Sequence, residues 1–354
     1  MVLTALKLPV SRITPYDDDD EEVREVKVIE PDWTLCEREA AGGNICATWL
    51  GHAGYLVHLP SKGGPVTVLF DPIFAERASP SSYFGPRRRL PPPCTIEDLP
   101  EVDYVVLSHN HYDHMDGDAL QRIWKKAQNA GGRSLSFLVP LGVKEVLTEL
   151  DLPDATIYEM DWWSTTSFPL QGVTDDGYQI EFLCVPAQHN SGRGVLDQNA
   201  TLWSSWVVRT VQQDSTSPEP SVYFAGDTGY QTADGPCPAF KEIGHKYGPF
   251  DLAMIPIWRG ASLSFLGRFG LRLSDDTLLS TLHALPEDAV LLASDVRARH
   301  SLAMHFGTFA GSKDEALEPI VRLKKARRGD WRDEGGFGWV NVGETAVIPV
   351  GKGL

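Results

Sequence analysis

The chain has 354 residues, 42% apolar and 23% charged, a globular composition with ample material for a core and room for either two domains or one large layered domain. Its formal net charge of -16 argues against a nucleic-acid footprint and against purely electrostatic attachment to anionic membranes, so an anionic substrate would need a local positive centre. No apolar run of about 18 residues is present, the opening MVLTALKLPVSRITPYDDDDEE is a poor secretory leader, and five scattered cysteines (Cys36, Cys46, Cys94, Cys184 and Cys237) lack Cys-x-x-Cys spacing; a cytoplasmic, reducing location is expected.

Residues 1 to 40, with the acidic block Asp17 to Glu22, are expected to form an N-terminal arm that includes the strand-like EVKVIE, and residues 41 to 354 the main domain. CATWL, YLVHL and VTVLFDP alternate or carry β-branched residues between Gly-rich breaks, which predicts hairpin strands. Residues 79 to 100, rich in Pro and Ser, read as a surface loop. VDYVVLS then predicts a buried strand, GDALQRIWKKAQNA a helix stopped by Gly-Gly, LSFLVP a strand and GVKEVLTEL a helix. In the second half IEFLCVPA, TLWSSWVVRTV, SVYFAGD and LAMIPI predict strands, with QQDSTSPEP as a flexible hairpin tip. DDTLLSTLHAL and DEALEPIVRLKKARR predict helices, and DAVLLA and SLAMHFGT predict strands. The order gives a layered α/β protein.

The densest chemistry lies in VVLSHNHYDHMD. His109, His111, Asp113 and His114 place four candidate metal ligands in six residues directly after an apolar strand, and donors this close on a loop project in two directions, which suits two ions better than one. Three more strands end in a histidine or carboxylate: FLCVPAQH at His189, SVYFAGD at Asp227 and SLAMH at His305. Taken singly, His189 and His305 are as ordinary as packing residues, and Asp227 as a turn aspartate. Together they describe one site at the carboxyl ends of strands. His52, in the Gly-flanked turn WLGHAG, serves either that turn or a ligand from behind. His58, His245 and His300 read as structural or exposed, and no Gly-x-Ser-x-Gly elbow supports serine catalysis.

The His-x-His-x-Asp-His cluster with its later His, Asp and His resembles the metallo-β-lactamase superfamily. More narrowly, WLGHAG, FDPIF, PPPCTIEDLPEVDYVVLSHNHYDHMD, VPAQH, LWSSW, FAGDTGY, CPAFKEIGHKYGPFDLAMIPI, HALPEDAV and MHFGTF, in order from about residue 46 to 310, resemble the N-acylphosphatidylethanolamine-hydrolysing phospholipase D family. The resemblance implies an αβ/βα four-layer sandwich and two zinc ions, one held by His109, His111 and His189, the other by Asp113, His114 and His305, with Asp227 bridging. It also implies a role for His283 beside the reacting phosphate, Asp113 within the catalytic centre, and a homodimer. The chain departs from the family pattern where IPI continues as Trp258-Arg259-Gly260 and where QTADG, residues 231 to 235, looks inserted.

These expectations converge on a dinuclear zinc phosphodiesterase that releases N-acylethanolamine and phosphatidic acid. A lactonase, amidase or other acyl hydrolase on the same scaffold is the alternative, and a non-catalytic membrane-binding protein is disfavoured by the intact ligand set. Tyr112 and Trp258 are expected to face substrate. Residues 258 to 273, with Trp258, Leu263, Phe265, Leu266, Phe269, Leu271, Leu273 and Arg259, Arg268 and Arg272, suit either an interfacial segment on a membrane or a loop covering the core.

Overall fold

A computed structural model describes residues 10–13, 24–81, 83–131, 134–170, 177–212, 219–258 and 269–351. The acidic block, the tip of the QQDSTSPEP hairpin and positions 259–268 of the apolar segment lie outside the described residues.

Two seven-stranded sheets carry the architecture. The first begins with an antiparallel meander, β1 (Asn44–Gly51), β2 (Gly54–Leu59) and β3 (Val66–Phe70), then turns parallel through β4 (Tyr104–Val106), β5 (Ser136–Pro140) and β6 (Ile157–Met160). The second repeats that plan: β7 (Thr165–Pro169), β8 (Tyr178–Val185), β9 (Ser205–Gln212) and β10 (Ser221–Phe224) are antiparallel, and β11 (Phe250–Pro256), β12 (Ala298–Met304) and β13 (Gly336–Gly338) follow in parallel. The last strand, β14 (Thr345–Pro349), returns to pair with β1 and closes the first sheet.

The strands bury both faces, and the period of two sorts their side chains. Phe70, Val106 and Leu138 point toward the second sheet and pack with Phe182, Trp206 and Phe224, whereas Leu69, Val105, Phe137 and Val139 point outward. Outside the first sheet lie α2 (Gly117–Ala130) and α3 (Val143–Thr148), which contribute Leu120, Ile123, Val143 and Leu147. Outside the second lie α4 (Ala239–Tyr247), α6 (Pro286–Asp295) and α7 (Lys313–Ala326), which contribute Phe240, Ile243, Leu292, Ile320 and Leu323. The result is the expected αβ/βα four-layer sandwich.

α1 (Trp33–Ala41), capped by Asp32 accepting from the Leu35 N–H at 2.9 Å, packs Cys36 and Ala40 on Cys46 of β1, and so straddles the position where the arm was expected to give way to the domain. EVKVIE makes a single bridge, Val28 to Val342, in place of a full strand. Further upstream, Val10–Arg12 pairs antiparallel with Leu271–Leu273.

One expected strand is corrected. DAVLLA lies inside α6: Pro286 opens the helix with its ring pre-set at a helical φ, Glu287 and Asp288 sit in the first turn, the Asp288 carboxylate accepts from the Leu285 N–H at 3.3 Å, and Ala289 and Leu292 bury at helical spacing. A six-residue apolar run carries no period of its own, so the start signals before it decide. The QTADG segment forms a two-residue hairpin, Gln231–Thr232 against Gly235–Pro236, that rests on α5 (Asp276–Leu282).

Candidate metal centre

Each expected ligand follows the end of a strand. His109 and His111 come three and five residues beyond Val106, the end of β4, and the loop is folded tightly: the His114 and Met115 N–H groups both donate to the His111 carbonyl, at 3.1 and 2.9 Å. Asp116 then locks the loop by accepting from the Phe74, Ala75 and Ala119 N–H groups at 3.0, 2.8 and 3.2 Å, the last as N-cap of α2. His189 follows β8, Asp227 follows β10 and His305 follows β12.

The fold brings these together. Donor atoms of His109, His111, His189 and Asp227 form one group within 4.8 Å of one another, and those of Asp113, His114, His305 and His52 form a second. Asp227 lies between them. Its Oδ2 is 3.0 Å from His114 Nε2, 3.6 Å from His189 Nε2 and 3.9 Å from His109 Nε2, and its Oδ1 is 3.1 Å from His305 Nε2. Several of these atoms, His114 Nε2, His305 Nε2 and Asp227 Oδ1 among them, are buried without a hydrogen-bond partner despite the short separations. Lone pairs aimed at a common point without hydrogen-bond angles are what a bound cation requires, and nitrogen and carboxylate donors suit a first-row transition ion.

Asp71 is a residue that sequence reasoning missed, although it lies in FDPIF. It sits fully buried just after β3 with a φ of 37°, and accepts from the Ser108 N–H at 2.7 Å, from Ser108 Oγ at 2.5 Å and from His114 Nδ1 at 2.7 Å. Ser108 Oγ in turn is 2.8 Å from His109 Nδ1. One carboxylate therefore keeps the protons of two imidazoles on Nδ1 and leaves both Nε2 atoms facing the centre. The signal in the sequence was an aspartate ending a strand, as at Asp227.

Electrostatics follow from burial and composition. Burial pushes the His109 and His283 imidazoles well below their ordinary range and His189 down to about 4, so these rings are neutral ligands or acceptors at pH 7. His114 and His305 move the other way. Burial alone would lower them, but Asp227 and Asp113 outweigh it and raise His305 to about 9. The same charges work in reverse on Asp113 and Asp227, held well below the usual carboxylate range against the opposing effect of burial. A cation entering here displaces protons from His114 and His305.

The centre opens into a cavity of about 300 Å³, whose walls include His111, Asp113, His189, Asp227, His283 and His305 with apolar Ala78, Pro86, Trp258, Leu282 and Phe309. Trp258 is thus part of the cavity wall. His283 is stacked between Trp258 (centroids 4.7 Å, planes 28° apart) and His305 (4.9 Å, 30°), with Nδ1 3.8 Å from Asp227 Oδ2. Tyr112 is placed differently: the Arg193 guanidinium covers its ring at 3.9 Å and donates to the Asn110 and Met115 carbonyls, both at 3.1 Å, so Tyr112 braces the ligand loop and is absent from the cavity wall among the described residues. His58 and His300 are buried structural residues, the latter with Nδ1 2.7 Å from the Trp331 carbonyl, and His245 is exposed in the last turn of α4.

Residues 66–306 match the β-lactamase superfamily domain. The chain is 38% identical over 306 residues, 85% of its length and 75% of the relative's, to N-acyl-phosphatidylethanolamine-hydrolyzing phospholipase D 1 of Caenorhabditis elegans, and 28% identical to the mitochondrial N-acyl-phosphatidylethanolamine-hydrolyzing phospholipase D of Saccharomyces cerevisiae, covering 84% of this chain and 55% of that one. Among solved structures it superimposes on Igni18, a metallo hydrolase of Ignicoccus hospitalis, with a TM-score of 0.50 at 21% identity over 86% of this chain and 98% of that one. With family relatives of this kind and a His/Asp cluster built at the strand ends, the chain is a metal-dependent hydrolase and belongs to the N-acyl-phosphatidylethanolamine-hydrolysing phospholipase D family of the β-lactamase superfamily.

Proposed function

We propose that the protein is a dinuclear zinc phosphodiesterase that hydrolyses N-acylphosphatidylethanolamine to N-acylethanolamine and phosphatidic acid, with residues 41–354 as its hydrolase domain. The observation that carries this reading is the meeting of two donor groups at Asp227 on the wall of a partly apolar cavity, in a chain 38% identical to a relative named for that reaction. His109, His111 and His189 would hold one ion and Asp113, His114 and His305 the other, with Asp227 shared. When bound, a pair of zinc ions supplies a water nucleophile at neutral pH and the positive charge that an acidic protein otherwise lacks for a phosphodiester.

The chain's own residues do the rest. Asp71 and Ser108 hold the His109 and His114 rings so that Nε2 faces inward. In the hydrolysis the water oxygen bonds to phosphorus, the bond from phosphorus to the ethanolamide oxygen breaks, and that oxygen takes up a proton. His283, neutral because of burial and clamped face to face by Trp258 and His305, has one N–H to orient a phosphate oxygen or to give to the departing alkoxide. Trp258, Leu282 and Phe309 offer apolar walls to the glyceride or acyl part.

Lipid substrate implies contact with a bilayer, and we include a cytoplasmic, membrane-peripheral location in this reading. It is supported by solvent-exposed Tyr83 and Phe84, Val195 and Leu196, and Phe269: the first two pairs sit on loops that also contribute Ala78, Pro86 and Asn190 to the cavity wall, and Phe269 follows the segment after Trp258. No helix among the described residues is long and apolar enough to cross a membrane. The deciding experiment measures metal content of the purified protein together with turnover of N-acylphosphatidylethanolamine, a simple phosphodiester and a lactone. Two equivalents of zinc and a preference for the phospholipid are expected; preferential lactone turnover, or full activity in metal-free protein, would overturn the assignment. The metal analysis bears on identity as well, because the similar fold of CmlA, a β-hydroxylase from Streptomyces venezuelae at TM-score 0.53, is described as diiron.

A further inference from the structure

We infer that His52 is a positioning residue of the centre, which fixes Asp113 through a side-chain hydrogen bond and thereby sets the metal affinity of the site formed by Asp113, His114 and His305. This rests on the two-metal reading above.

His52 lies in the turn between β1 and β2, 61 residues from Asp113 in sequence, and its Nε2 is 3.0 Å from Asp113 Oδ2. That oxygen is also the one that faces the centre, 3.6 Å from His305 Nε2 and 3.9 Å from His114 Nε2. A carboxylate oxygen has two lone pairs, so Oδ2 can take the His52 N–H on one and still offer the other to a cation. Asp113 needs such a restraint. It follows a tight turn on a loop, and its side chain keeps 28% exposure to the cavity, in contrast to the fully buried His114.

The backbone of the same residue holds a second member of the site. The His52 carbonyl accepts from the His305 N–H at 2.9 Å and from Trp49 Nε1 at 2.8 Å, and the His52 N–H donates to Thr308 Oγ1 at 2.7 Å. Its ring is packed at 4.0 Å from the His305 ring and edge-on to Phe309 at 4.9 Å. His52 therefore ties the β1–β2 turn to both the Asp113 loop and the turn after β12. Turn geometry alone does not call for an imidazole here. The φ of His52 is 51°, a left-handed conformation that glycine or asparagine adopts more readily, so a larger side chain is kept at a conformational cost.

The test uses two substitutions in the full chain. His52→Asn tolerates the left-handed backbone but is too short to reach Asp113, whereas His52→Gln reaches with an N–H donor and is a poor metal ligand. Zinc affinity is read by chelator competition, site by site, and cobalt-substituted protein reports coordination through its visible absorption. His52→Asn is expected to bind the second ion about 10- to 100-fold more weakly with the first unchanged, and His52→Gln to recover most of that loss. If His52→Asn binds both ions as the parent does, the side chain has no such role. If His52→Gln is as weak as His52→Asn and the cobalt spectrum changes alike in both, His52 is itself a ligand and the positioning role is overturned. A parent protein that binds fewer than two ions fails one step earlier and overturns the two-metal reading together with this one. Circular dichroism and thermal melting of the metal-free variants separate a folding defect from either result.

Discussion

Asp71→Asn changes one atom in a fully buried residue and tests the reasoning about the centre most sharply. The carboxylate serves three donors, the Ser108 N–H at Oδ1 and Ser108 Oγ and His114 Nδ1 at Oδ2. An amide has a single acceptor oxygen. The backbone N–H of Ser108 cannot change its character, so the amide oxygen stays opposite it and the NH2 group is driven against His114 Nδ1. The Ser108 hydroxyl can rotate, but His114 must move its proton to Nε2, the atom that lies 3.0 Å from Asp227 Oδ2 in the centre. Losing a hydrogen bond to a charged acceptor lowers stability by about 1.5–3 kcal/mol. Removing a partner behind a ligand weakens metal binding by about 10- to 100-fold, or roughly 1.4–2.7 kcal/mol. Chelator competition at neutral pH gives the affinity, denaturant unfolding of metal-free protein gives the stability, and nitrogen NMR of labelled histidine gives the tautomer. Parent-like metal affinity with His114 still protonated on Nδ1 would refute the role assigned to Asp71.

His283→Ala is expected to keep full metal content, since the ring is no part of either ligand group proposed above, and to lower phospholipid turnover by about 10²- to 10⁴-fold; unchanged turnover removes His283 from the chemistry. Gly244→Ala tests the packing of α4 on the end of α6: an added Cβ would collide with the Asp295 carbonyl oxygen and lie 2.9 Å from the Val296 backbone, so a loss of about 3 kcal/mol or more is expected in unfolding, with no change in metal affinity per folded molecule. Glu315, near the start of α7, is pushed up to about 7 by burial, against the opposing pull of the Gly311 and Ser312 N–H groups. Because the folded state holds this proton where the unfolded state has released it, stability falls as pH rises from about 4.5 to 7 and is flat above. The window is worth up to about 3 kcal/mol. Urea unfolding of metal-free protein across that range should show the slope diminished in Glu315→Gln, and an identical slope would count against it. Phe269→Asp combined with Leu196→Asp is expected to reduce sedimentation with phospholipid vesicles several-fold while leaving hydrolysis of a soluble phosphodiester intact; undiminished vesicle binding would remove these loops from the contact.

What could be read from the sequence was whatever sits within a few neighbouring residues. Strand and helix periods in VTVLF, YVV and ALQRIW, the Gly that stops α2 at Gly131 with a φ of 59°, and the packing of four candidate metal ligands into His109–His114 are all local, and all are found in the structure. The strand ends at His189, Asp227 and His305 were visible one by one, and their convergence was expected from the habit of α/β sheets to build sites at the carboxyl ends of strands. DAVLLA was misread because a short apolar run fits a buried strand and a buried helix equally, and only the Pro286 start and the packing of Ala289 and Leu292 decide between them.

The tertiary structure decided what depends on separation through space. Asp71 reaches His114 across 43 residues and His52 reaches Asp113 across 61, contacts that no period or spacing encodes. Arg193, 83 residues from the Asn110 carbonyl that it binds, covers the ring of Tyr112 in the ligand loop. The ligands themselves are specified locally because a metal ion needs particular atoms. Their protonation and aim are specified globally, because an imidazole or a carboxylate takes both from whichever neighbour the fold brings to its other side.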